Sequence, residues 1–190
     1  MNSRIQAIQT ARQLLKLHPV YLDTETTGID SNSEIVEICI IDDDDRILYH
    51  SLVKPSRPIP KDVSSIHGIT DELVRDAPNW MRVWPEVEKV LRERVIGIYN
   101  AEFDLRMIRQ TNQRYRIHWN PALFANIFCL MNLFAQYYGE WNAWRQSYRW
   151  QSLEAAGRYL HIPIPNSHRA LDDTRLARAV HLAIANLETR

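Results

Sequence analysis

The sequence has very little cysteine. There are two in 190 residues, Cys39 and Cys129, and neither stands in a CxxC motif. That excludes a disulfide framework, and the apolar surroundings of both point to reduced core residues. Net charge is absent as well, with 23 basic residues balanced by 23 acidic ones, so the whole-chain average neither predicts nor excludes a polyanionic partner. Long apolar runs are missing. The longest, Ala122 to Ala135, is broken by Asn126 and Asn132 and falls short of the ~20 residues a membrane helix needs. The first residues lack the apolar core of a signal peptide. Internal repeats, low-complexity stretches and linkers are not seen either. The expectation is a soluble, cytoplasmic protein without a membrane partner.

What is present fits one globular domain: 45% hydrophobic and 24% charged residues in a chain long enough for a single sizeable core. Charge is unevenly placed. Residues 1–45 carry nine acids against three bases, and residues 105–150 carry six arginines against Glu140 alone. Acidic groups that collect metal and basic groups that collect phosphate would give such polarity, as would ordinary surface charge.

Ile5, Ile8, Ala11, Leu15 and Leu17 recur at helical spacing, predicting an N-terminal amphipathic helix over residues 1–18 ahead of a domain at 19–190. Pro19 ends it and Val20-Tyr21-Leu22 begins a buried strand. Glu34–Ile41 reads as a second strand, Asp42–Asp45 as a solvated turn and Arg46–Val53 as a third strand. Prolines between Pro55 and Pro60 demand an extended loop, and Thr70 is expected to open a short helix. A helix over Val83–Glu93 and a strand over Val95–Tyr99 follow. From Phe103 the pattern is mostly helical, ending in a long helix from Arg169 to Glu188. The pattern is that of an α/β domain with a mixed sheet.

Asp23-Thr24-Glu25 ends the first strand. Alternation puts Asp23 and Glu25 on one face, ~7 Å apart, where two carboxylates can converge on one hard cation. Gly28 lets the chain turn away. Asp104 opens a helix and shares the stripe of Met107 and Ile108, which also suits an acid placed at a helix N-terminus. On the last helix, Leu176, Ala177, Val180, Ile184 and Leu187 extend a stripe that begins at Asp173, while Asp172 is rotated away by ~100°. An inward carboxylate needs a partner or a metal, so Asp173 is the candidate ligand. His168, five residues earlier, suits a general base; a lone loop histidine can equally be ordinary surface.

Together these residues resemble the DEDDh exonucleases of the ribonuclease H-like superfamily, the family of the proofreading subunit of bacterial replicative DNA polymerase. The first motif is matched by Asp23-Thr24-Glu25-Thr26-Thr27-Gly28, the second by Asn100-Ala101-Glu102-Phe103-Asp104, and the third by His168-Arg169-Ala170-Leu171-Asp172-Asp173. The sister subfamily carries tyrosine where this chain has Arg169. Ser65-Ile66-His67-Gly68-Ile69-Thr70 also resembles a segment near the substrate. Ile29 replaces the leucine usual after the motif-one glycine, and little chain follows the last helix to tether a polymerase partner.

The resemblance implies a ribonuclease H-like fold with a central mixed five-stranded sheet flanked by helices. It also implies 3′–5′ exonuclease action with two Mg²⁺ or Mn²⁺ ions. Asp23, Glu25, Asp104 and Asp173 would hold the metals, Asp23 bridging them, and His168 would be the base. Backbone donors at Thr26 and Thr27, with Gly28, Ile29, His67, Asn100 and Phe103, would hold the 3′ end of a single strand. DNA is preferred because the first motif is threonine-rich, and RNA stays open, as in oligoribonuclease-like or RNA-trimming members. Two other readings stand further off. A haloacid-dehalogenase-type phosphatase shares only the first motif's outline, and a non-catalytic accessory module would not need all five residues. Finally, aromatics alternate with arginines from Trp141 to Trp150, either as packing or as a platform for single-stranded bases.

Overall fold

The computed structural model describes residues 3–188. Of the expected segments 1–18 and 19–190, residues 1–2 and 189–190 lie outside the described residues. Strands β1 (Val20–Thr26), β2 (Ile35–Ile41) and β3 (Ile47–Leu52) form an antiparallel meander. The acidic run between β2 and β3 is the expected turn. Its first acid shapes it, since Asp42 Oδ1 accepts from the backbone N–H groups of Asp44 at 3.0 Å and Arg46 at 2.9 Å. Strands β4 (Ile96–Ile98) and β5 (Ile127–Cys129) add in parallel beside β1, giving the order β3-β2-β1-β4-β5. This is the mixed five-stranded sheet anticipated above. Its parallel pairs are joined through helices, as parallel crossovers require.

Helices α1 (Ser3–Leu15), α5 (Leu130–Tyr138) and α7 (Ala170–Asn186) cover one face, burying Tyr21, Cys39, Ile41, Phe134 and Val180. Helices α3 (Trp80–Leu91) and α4 (Ala101–Arg114) cover the other, with Leu22, Ile38, Ile40, Trp80 and Met107. Every residue of β2 is buried, which is why its sequence is an apolar run without alternation. Packing is tight enough at β4 to dictate glycine. A Cβ on Gly97 would lie 2.6 Å from Phe128 Cζ and 3.1 Å from Tyr21 Cδ1.

α1 belongs to the main core through Ala7, Ile8 and Ala11, while Leu17 lies beyond its end and is exposed. Arg12 donates from Nε to the Ala185 carbonyl at 2.8 Å and from Nη2 to the Leu187 carbonyl at 2.6 Å. It thereby caps the carboxyl end of α7, whose last carbonyls have no partner within the helix. Buried His181 on α7 donates from Nε2 to the Ala11 carbonyl and accepts at Nδ1 from the Tyr21 hydroxyl. One neutral imidazole thus joins α1, α7 and β1.

Two helices depart from the sequence expectation. α2 (Lys61–His67) starts directly after Pro60, and the stretch from Thr70 makes only turns. Asp71, next to Thr70, accepts the Ile59 N–H at 3.0 Å. Pro78 disfavours helical geometry at Ala77, which stops any extension. α3 begins at Trp80 and not at Val83, because Asn79 caps it by accepting from Arg82 N–H. The last elements are a hairpin of β6 (Trp141–Asn142) and β7 (Ser147–Tyr148), and α6 (Leu153–Tyr159). No helix among the described residues is long and apolar enough to cross a membrane.

Candidate active site

Strand alternation along β1 puts Tyr21, Asp23 and Glu25 on the face covered by α7. Tyr21 is core, and the two acids continue its row past the end of the packed region. α7 brings Asp173 to the same place, so that carboxylate oxygens of Asp23, Glu25 and Asp173 lie within 4.8 Å of one another. Asp173 is 5% exposed and is fixed by the backbone N–H of Ser167 at 3.1 Å and the Asn166 amide at 3.2 Å. Asp172 is half-buried and accepts from the Ser167 hydroxyl at 2.7 Å. The helix-face reading therefore holds for geometry: the second aspartate turns inward.

Asp104 approaches from the opposite face. Asn100 adopts the left-handed conformation (φ 66°, ψ 53°) that asparagine tolerates, so α4 starts at once after β4 and buries Asp104 in its first turn. Thr24, between the two strand acids and pointing the other way, donates its hydroxyl to Asp104 Oδ1 at 2.7 Å. Asp104 is thus beside the cluster without joining its three-oxygen group.

Four carboxylates in so small and buried a volume resist ionising together. Burial first, then Asp104, Glu25 and Asp173, hold Asp23 well above the usual carboxylate range. Glu25 is pushed up to about 8, Asp104 to about 7 and Asp173 to about 6, in each case chiefly by burial. Among the described residues none of the four forms an ion pair with lysine or arginine. No ion pair neutralises this donor set, and a hard divalent cation would supply the positive charge it calls for.

Glu37 shows the contrast. It sits opposite Glu25 in the β1–β2 register and is fully buried. Burial raises its pKa, yet hydrogen bonds from His50, Arg169 and the Ala170 N–H outweigh that and bring it down to about 2. Sequence reasoning passed over this residue. A charged side chain inside an apolar strand was the available signal, since a buried charge needs partners. Asn166 and Ser167, which orient Asp173, were likewise missed.

The remaining predicted residues surround the motif-one turn. Thr26 donates its hydroxyl to the Gly28 carbonyl at 2.7 Å, and Thr27 exchanges two bonds with the backbone of Glu34. The Thr27 N–H, expected to meet a 3′-hydroxyl, is thereby committed inside the turn. Gly28 has φ 149°, and a Cβ there would sit 2.9 Å from Ser33 Oγ. Ile29 is 78% exposed, with its carbonyl held by Arg106, whose guanidinium also covers the ring of half-buried Phe103. His67 is buried; its Nδ1 accepts from Ile69 N–H and its Nε2 donates to the Thr26 carbonyl at 3.2 Å. It supports the turn from behind and offers no free nitrogen. His168 is exposed, in the left-handed region (φ 52°), close enough to Asp173 to favour that residue's ionised form.

A sequence model of the exonuclease family (RNase_T) matches residues 20–180. The chain is 38% identical over 181 residues to an uncharacterized exonuclease, CP81, of Escherichia phage 186, covering 93% of each. It is 32% identical over 173 residues to the PolC-type DNA polymerase III of Thermotoga petrophila, covering 88% of this chain but 12% of that one. Among solved structures, Exonuclease X in complex with 5′ overhanging duplex DNA superposes with a TM-score of 0.63 at 28% identity, covering 88% of this chain and 90% of that one. The family uses divalent metals generally, in keeping with the carboxylate cluster. The chain therefore belongs to the ribonuclease H-like exonuclease family, hydrolases that degrade nucleic acid from its 3′ end.

Proposed function

We propose that this chain removes nucleotides singly from the free 3′-hydroxyl end of single-stranded DNA, releasing nucleoside 5′-monophosphates. Asp23, Glu25, Asp104 and Asp173 would hold two divalent ions, Mg²⁺ or Mn²⁺, and His168 is the general base. The observation that carries this reading is the cluster of Asp23, Glu25 and Asp173 within 4.8 Å, none of them in an ion pair with lysine or arginine among the described residues. When bound, the ions would neutralise charge on the scissile phosphate and make water acidic enough to ionise near neutral pH.

The chain's own groups do the rest. Ser167 and Asn166 hold Asp173 in one orientation. His168, exposed beside it, takes the proton from the attacking water. Glu25, at the strand end before the Thr26–Gly28 turn, accepts from a 3′-hydroxyl and repels a 3′-phosphate. Ile29 meets the terminal base, and Arg106 fixes the backbone that carries it. Asn100 and Phe103 line the approach from α4, and His67 keeps the turn in place through the Thr26 carbonyl.

DNA is favoured by the DNA polymerase and the DNA complex among the proteins compared, and by the threonine-rich first motif. The test is digestion of end-labelled 20-nucleotide strands of DNA and RNA, bearing 3′-hydroxyl or 3′-phosphate, with Mg²⁺, Mn²⁺ or EDTA. A ladder of shortened DNA only with a 3′-hydroxyl and metal is expected. Cleavage of a circular single strand would remove the exonuclease reading, and faster loss of RNA would reassign the polymer.

A further inference from the structure

The hairpin β6–β7 takes no part in the hydrolysis described above. Trp141 pairs with Tyr148 and Asn142 with Ser147, and residues 143–146 form the tip, closed by Gln146 at φ 49°. The Asn142 side chain accepts from the backbone N–H groups of Trp144 at 3.1 Å and Arg145 at 3.0 Å, so the tip is shaped locally. At the base, Arg149 joins Glu140 twice, through the backbone at 2.8 Å and through an ion pair at 2.8 Å.

Its surface is unusual for something facing water. Trp144 is 88% exposed, Trp150 58% and Trp141 55%. Tryptophans gathered in this way mark a binding surface. Trp144, Arg145, Tyr148, Arg149 and Trp150 line an open cleft of about 490 Å³ to which no carboxylate contributes. Glu140 neutralises Arg149, whereas Arg145 forms no ion pair among the described residues. Flat aromatic faces with an uncompensated guanidinium complement a strand of bases and phosphates, not a basic or purely apolar partner.

Placement agrees. Directly after Trp150, the carbonyls of Gln151 and Ser152 accept from the Tyr99 hydroxyl at 2.9 and 3.2 Å. Tyr99 precedes Asn100, where the chain enters α4 and reaches Asp104. The hairpin is therefore anchored at the sheet end that carries the candidate site.

We propose that the hairpin is a stacking platform for the single-stranded segment behind the 3′ end, with bases on Trp144 and Trp150 and a phosphate at Arg145. The proposal rests on the nucleic-acid substrate proposed above. Stacking tolerates any sequence because every base has a π-face, and the arginine makes the grip salt-dependent.

The experiment compares wild type, Trp144→Ala, Trp144→Phe and Arg145→Ala on fluorescein-labelled dT strands. Anisotropy in EDTA reads binding without hydrolysis, and Mg²⁺ turnover of a trinucleotide reads the catalytic site alone. Trp144→Ala should weaken binding of a 20-nucleotide strand by about 5- to 150-fold, the worth of one lost stack, and Trp144→Phe should recover most of it. Arg145→Ala should flatten the salt dependence, and trinucleotide turnover should match wild type in all three. Unchanged affinity in Trp144→Ala overturns the platform. So would a dimer, seen by sedimentation, that Trp144→Ala dissolves at unchanged affinity for the strand; the hairpin would then face a second copy. Should wild type bind the long strand but digest neither, the functional reading fails while the binding comparison still decides the platform.

Discussion

Arg169 holds Glu37 through two parallel hydrogen bonds, Nε to Oε2 at 3.0 Å and Nη2 to Oε1 at 2.8 Å, across 132 residues of chain. The Ala170 N–H adds a third at 3.0 Å. β2 thereby clamps the first residues of α7, immediately after His168 and three residues before Asp173. A fork of this kind positions a loop in a way a single point charge does not.

Glu37→Gln should therefore lower stability by about 2–3 kcal/mol. That is less than the ~3–5 kcal/mol of breaking a fully buried pair, because the Arg169 side chain is 39% exposed. Turnover should fall as well, since His168 and Asp173 lose their support. Urea unfolding and nuclease rates check both, and a variant neutral in each would show that the clamp is idle.

Asp173→Asn should abolish hydrolysis and weaken Mn²⁺ binding, whereas Asp172→Asn should largely spare both. The inward aspartate joins Asp23 and Glu25, whereas its neighbour accepts from the Ser167 hydroxyl and stays outside the three-acid group. Calorimetric titration with Mn²⁺ alongside rate measurements separates the two. Equal damage would mean that Asp172 also reaches the metals.

His168→Ala should slow turnover by ~10²–10⁴-fold, the usual worth of a general base, and leave metal affinity nearly unchanged. The residue is exposed and stands outside the three-acid group. A fast variant, or one that fails to bind Mn²⁺, would contradict the assignment.

Metal-free protein should lose stability as pH rises from about 6.5 to 8. Glu25 near 8 and Asp104 near 7 still hold protons there in the folded state, while the unfolded chain has released them. The native state binds more protons, so the slope of stability against pH is negative. Below this window buried His181, lowered to about 4, works in the opposite direction. Mg²⁺ or Mn²⁺ binds the ionised carboxylates, so the metal-induced rise in Tm should grow with pH. Thermal melts with EDTA and with metal test this, and a Tm in EDTA that is flat across the window would count against it.

Legibility in the sequence followed the range of the interactions. The stripe from Asp173 through Val180 and the alternation of Asp23 with Glu25 are short-range periodicities, and both were readable. Motif spacing then brought the fold with it. Glu37 was not readable because its meaning depends on the β1–β2 register and on Arg169, 132 residues away. β5, three residues long, carries too few positions to show a period inside an apolar stretch. The helix expected at Thr70 failed because Asp71 was recruited by Ile59, a contact no local propensity contains.

The cap that Arg12 places on α7 has a bearing on how the molecule is made. Its contacts with Ala185 and Leu187 close loops of 173 and 175 residues, and that of Ala11 with His181 one of 170. α1 leaves the ribosome long before α7 exists, so Ala7, Ile8 and Ala11 have no complete bed to settle in during most of synthesis. Contacts so distant in sequence form late and slowly. An early-made apolar face left waiting is the kind of surface on which nascent chains associate, and on which a chaperone would act.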